Sequence, residues 1–114
     1  MFLSVTMDDV QFIGLRQLDE DQQSEVRGLV GEYQKKILRK FKDATLAVHV
    51  KLYSKGGRPK YAIHVKAISG KILFESSHGH DYDLAKSFHM AFNDILKQIL
   101  HSYRSDVTRK KPYD

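Results

Sequence analysis

The triplet His-Val-Lys occurs twice, as His49-Val50-Lys51 and His64-Val65-Lys66, on either side of the loop SKGGRPK. Two imidazoles and two ammonium groups in neighbouring segments can do acid–base work. One histidine removes a proton, the other donates one, and a lysine stabilises the anion between them. On RNA that is metal-independent cleavage. One ring takes the 2′-hydroxyl proton, the other protonates the leaving oxygen, and Lys51 or Lys66 faces the phosphorane with Glu75 near by. No nucleophile or oxyanion motif accompanies the set. Without chemistry, the same groups form a surface for phosphates or a solvated strand face guarded by lysines.

A second constellation is His78-Gly79-His80-Asp81. A His-x-His pair can bind zinc or nickel if a third ligand arrives, here from His89 or His101. The glycine and the aspartate explain the stretch more simply, as a strand-to-helix turn with Asp81 as the helix N-cap. No metal is expected. Cysteine is absent, which removes disulfides, thiolate nucleophiles and zinc–thiolate sites and fits a reducing cytoplasm. SKGGRPK lacks the strand-loop-helix context of a phosphate loop, so no cofactor is expected either. Phe88, Phe92 and Tyr103 fall at helical spacing and read as core rather than as a cofactor box.

Charge is distributed unevenly. The net value of +5 over 114 residues conceals a segment, residues 35–71, with eleven Lys/Arg against the single Asp43. Such a segment is the electrostatic pattern of a polyanion binder. Ten of these eleven cations fall into three groups. Lys35, Lys36, Arg39, Lys40 and Lys42 end the first helix; Lys55, Arg58 and Lys60 decorate the loop; Lys51 and Lys66 accompany His49 and His64. Tyr53 adds a ring on which a base can stack. Lys86 and Arg104 extend the candidate RNA-binding set to the last helix. A basic face meeting an acidic protein is the alternative partner.

These side chains need a frame. Strand signals open the chain at FLSVT and VQFIGLRQL, separated by Met7-Asp8-Asp9, and DEDQQSE reads as a loop into a helix N-terminus. Val26, Leu29, Val30, Tyr33, Ile37 and Phe41 predict a helix over 20–41, although Gly28 and Gly31 weaken it. Residues 44–53 and 60–68 alternate cleanly as strands with Gly56-Gly57 at the turn between them. After Ser69-Gly70, residues 71–77 form a third strand with Ile72 and Phe74 inward. A last helix spans 82–103, and residues 105–114 form a short charged tail after a single domain over 1–104.

Parity places the triplets. Opposed residues of an antiparallel pair share a face, so the apolar sets meet one core only if paired numbers sum to an odd value, near 111 or 113. Both His-Val-Lys triplets then lie on the face away from the core. In the next hairpin a sum of 139 sets Glu75 opposite His64 and Leu73 opposite Lys66. Strand, helix, three strands and helix imply a two-layer α+β sandwich, with both helices on one face of an antiparallel sheet. No run is apolar enough to cross a membrane, and MFLSVTMDD lacks the features of a signal peptide.

This order, with MFLSVTMDDVQFI, YQKKILRKFKDATLAVHVKL and Gly79-His80-Asp81-Tyr82 before Leu84-Ala85 and Leu96-Lys97-Gln98-Ile99-Leu100, resembles the ribosome hibernation-promoting factor and ribosome-associated inhibitor family. The likeness is to its short members. It implies a cytoplasmic protein without enzymatic activity that binds small-subunit rRNA in the mRNA and tRNA channel and stops translation under stress. GLRQLDEDQQS departs from the family as an insertion, and Lys/Arg are sparse on the last helix. The helix, three strands and helix also resemble the double-stranded-RNA-binding domain, without the basic Lys-Lys-x-x-Lys start of that domain's last helix.

Overall fold

The computed structural model describes residues 10–53, 57–70 and 72–109, with side chains throughout except at His78 and 103–109. The expected FLSVT strand, Lys55, Gly56 and the side chains of Tyr103 and Arg104 therefore lie outside the described residues. Elements run β1 (Val10–Ile13), a 3-10 turn (Leu15–Gln17), α1 (Glu20–Lys40), β2 (Thr45–Tyr53), β3 (Lys60–Ser69), β4 (Ile72–Asp81) and α2 (Leu84–Arg109). This is the expected two-layer α+β fold. Among the described residues the sheet has four strands in the order β1-β2-β3-β4.

The sheet is mixed, not antiparallel throughout. β1 pairs with β2 in parallel, Val10 against Leu46 and Ile13 against His49. A strand that reaches its neighbour through a helix on one face must return in the same direction, and the 21-residue α1 makes that crossover. The strand expected over VQFIGLRQL stops at Ile13 because Gly14 turns the chain at φ 83°. A Cβ there would overlap the Val50 carbonyl oxygen. Gln17 Nε2 fastens the turn by donating to that same oxygen at 2.9 Å.

α1 begins at Glu20, where its period predicts, so that DEDQQSE supplies its N-cap and first turns rather than a loop. Asp19 Oδ1 accepts from the Gln22 backbone N–H at 2.8 Å, and Gln22 Oε1 accepts from the Asp19 N–H at 3.2 Å. This capping box satisfies two donors that a helix start leaves unpaired. Val26, Val30, Tyr33 and Ile37 are buried on its sheet-facing stripe. They meet Phe88, Phe92, Ile95 and Ile99 of α2 and the inner residues of β2 and β3 in one core. Tyr33 stacks on Phe92 with centroids 4.8 Å apart.

β2 and β3 pair with the odd sum of 113, His49 opposite His64. β3 and β4 depart from expectation. Glu75 lies opposite Lys66 and Leu73 opposite Ile68, and the register shifts between Ile63 and Val65, where β4 carries one extra residue. β4 continues as a strand to Asp81, through the residues expected to turn. The bulge follows from tight packing at Gly79, where a Cβ would overlap the Ser87 carbonyl oxygen of α2. Phe74 and Ser76 are buried on β4, while Ile72 is exposed. The cap of α2 is Asp83 rather than Asp81: Asp83 Oδ1 accepts from the Lys86 N–H at 3.1 Å. α2 also runs on to Arg109, so the first half of the expected tail is helical.

Candidate nucleic-acid interface

Both helices cover one face of the sheet, and the other face is open. Across the open face the registers lay out five rows. Thr45, Ile68 and Leu73 form an apolar end; Gln11, Ala47, Lys66 and Glu75 come next. Ile13, His49 and His64 follow, then Lys51, Ala62 and His80. Beyond them Tyr53 and Lys60 pair directly at the far end. The two triplets therefore stand side by side on the open face, as parity requires.

Their charge is not equally available. Glu75 Oε2 lies 3.0 Å from His64 Nε2 and 4.0 Å from Lys66 Nζ. One carboxylate thus pairs with an imidazole and an ammonium group, so the Lys66 charge in the middle of the face is partly offset. Positive charge concentrates instead at the Tyr53 end. There Tyr53, Arg58, Lys60, Ala62, His80 and Tyr82 surround an open cleft of about 470 Å³. The Arg58 guanidinium carbon sits 4.2 Å from the centre of the Tyr82 ring, and Lys60 Nζ approaches the same ring at 5.9 Å. Such cation–π contacts hold a charge in place without neutralising it.

As part of an RNA-binding surface neither His80, weighed only as a metal ligand, nor Tyr82 was foreseen. Strand alternation puts every second residue on one face, so a single extra residue in β4 reverses the parity beyond it. His80 comes to lie opposite Ala62 on the open face. The signal was an isolated glycine, Gly79, inside a strand pattern.

The remaining candidates do not join this face. Lys35, Lys36, Arg39, Lys40 and Lys42 lie at the end of α1 or just beyond it, in the helical layer. Lys35 pairs with Glu32 at 4.0 Å, and Lys36 lies 5.1 Å over the Tyr33 ring. Lys86 stands on the first turn of α2, 3.7 Å from Asp81 Oδ2. The Asp81 carboxyl is held below the usual aspartate range, first by the backbone N–H of Asp83 and also by Lys86. The Arg104 side chain is outside the described residues.

Of the histidines weighed as metal ligands, His80, His89 and His101 are dispersed, and the side chain of His78 lies outside the described residues. His80 faces the cleft, whereas His89 Nδ1 shares a 2.5 Å hydrogen bond with the Tyr33 hydroxyl in the helical layer. His101 is exposed on α2. Among the described residues no three His, Cys, Asp or Glu side chains converge on a common point. No helix of the described residues is long and apolar enough to cross a membrane.

No family model, no curated protein and no solved structure matches this chain.

Proposed function

We propose that this is a non-enzymatic, cytoplasmic RNA-binding protein whose target is rRNA of the small ribosomal subunit, where it occupies the path of mRNA and tRNA and halts translation under stress. The observation that carries the reading is the cationic and aromatic end of the open sheet face, where Arg58 and Lys60 flank Tyr53 and Tyr82. Cations that track phosphates and rings that stack bases are the two elements of RNA recognition outside a regular duplex. The β-α-β-β-β-α order on which the family resemblance rests is also the order of this chain. Occupancy rather than turnover is the mode of action. Added to a cell-free translation reaction, the purified protein is expected to reduce synthesis at low salt, and Lys51→Glu/Lys60→Glu to relieve that inhibition. Undiminished synthesis with excess native protein contradicts the proposal.

One observation favours a second reading. His49 opposes His64, and Glu75 orients the His64 ring at 3.0 Å, which is the base-and-orienter arrangement of an RNA-cleaving pair. A nuclease would release cyclic phosphate ends and lose turnover in His49→Ala while retaining RNA affinity. Intact RNA after prolonged incubation would dismiss it.

A further inference from the structure

The cleft between Tyr53 and Tyr82 has features that phosphate binding alone does not require. A purely electrostatic surface needs mobile cations and no shaped walls. Here the walls are flat. Tyr53 is half-exposed on β2, and Tyr82, also about half-exposed, backs the planar guanidinium of Arg58. Ala62, paired across the strands with His80, also lines the cleft. A larger residue at position 62 would fill the space that the small side chain leaves open. Lys60 projects from the rim, next to Tyr53 on the neighbouring strand. The cleft of about 470 Å³ is within the roughly 300–1,000 Å³ range of small-ligand sites.

We propose that this cleft is a subsite for one unpaired nucleotide of a single-stranded RNA, with the base stacked between Tyr53 and the Arg58–Tyr82 pair and the phosphate held by Lys60. The inference rests on the RNA-binding reading above and names the part of the RNA that is recognised. Guanidinium planes and tyrosine rings both accept stacked bases, and every base has a π-face, so the site tolerates different sequences. A duplex is excluded because its bases are not free to enter. His80 presents ring nitrogens to the edge of the inserted base. An acidic peptide would satisfy Arg58 and Lys60 but leaves the two aromatic walls without a matching surface.

The test uses the full chain and a labelled single-stranded RNA pentanucleotide, with binding read by anisotropy and the site mapped by amide chemical shifts. Shifts are expected at Tyr53, Lys60, Ala62 and His80. Ala62→Leu fills the cleft without changing any charge, and Tyr53→Ala removes one wall. Each is expected to weaken binding roughly 5- to 100-fold, the range of one lost base stack, and Tyr53→Phe, which keeps the stacking ring, to recover most of what Tyr53→Ala loses. Lys60→Gln should lower the slope of log affinity against log salt by about 0.7. Both positions are on the open face, so thermal unfolding of the variants should match the native chain. Affinities within about twofold of native in both Ala62→Leu and Tyr53→Ala would overturn the subsite. So would shifts confined to the basic end of α1, or no pentanucleotide binding at all. Ribosome association that survives intact in both variants rejects the subsite while leaving the ribosome reading. Pentanucleotide binding in the cleft without ribosome association does the reverse.

Discussion

Gly79 shows how much one residue decides here. With no Cβ it allows β4 to lie against the Ser87 carbonyl of α2, and the bulge beside it turns His80 to the open face. Gly79→Ala is expected to cost about 1–3 kcal/mol through overpacking, read as a lower Tm, and to weaken RNA binding by displacing His80. A variant as stable as the native chain would show that β4 and α2 have room to separate. Tyr33 carries a pH dependence of its own. Burial raises its phenol pKa above the ordinary value of 10. Below that value both folded and unfolded chains keep the proton, and its stabilising contribution is complete. As pH rises further the unfolded chain ionises first, so stability falls through the folded-state pKa. Tyr33→Phe should remove this alkaline loss. It should also cost about 0.5–1.5 kcal/mol near neutrality by breaking the bond to His89. An unchanged slope of stability above pH 10, measured by denaturant titration, would contradict the first half.

At the level of elements, the outer edge of β4 meets, among the described residues, a side chain rather than another strand. Gln98 Nε2 donates to the Glu75 carbonyl at 2.8 Å, and the Glu75 N–H donates to Gln98 Oε1 at 3.3 Å. One amide thus occupies a donor and an acceptor that an edge strand would otherwise offer to another chain. Gln98→Ala is expected to speed amide exchange at Glu75 and to promote association as concentration rises. Unaltered exchange would mean that the clamp is not formed in solution. Elements with an unbroken period were legible in the sequence. The stripe of α1 and the alternation of β2 and β3 gave their faces and narrowed the register to a sum near 111 or 113, either of which places both triplets on the open face. What escaped was whatever depended on a contact between elements. The direction of β1 is set by the crossover through α1, and the β4 bulge by the closeness of α2. Neither leaves a local period. The same blindness split the candidate site: Tyr53, Arg58 and Lys60 were found, whereas His80 and Tyr82 required the parity change.

On the scale of the molecule, the basic segment divides between two layers. The α1 cluster from Lys35 to Lys42 leads into the start of β2, while Tyr53, at the other end of that strand, adjoins the cleft. The nine residues of β2, spanning eight steps of about 3.3 Å, separate the two by roughly 26 Å, on opposite sides of the sheet. One short RNA segment does not reach both, so their contributions are expected to be separable. Charge reversal at the sheet end should abolish specific binding, while reversal at Arg39 and Lys42 should reduce it only through the overall field. The most direct measurement is co-sedimentation of the purified protein with separated ribosomal subunits at low and moderately high salt, for the native chain and for Lys51→Glu/Lys60→Glu. The expected result is association with the small subunit that weakens steeply with salt and is lost in the double variant. No association at either salt, or equal association of native chain and variant, would contradict RNA binding through the open sheet face.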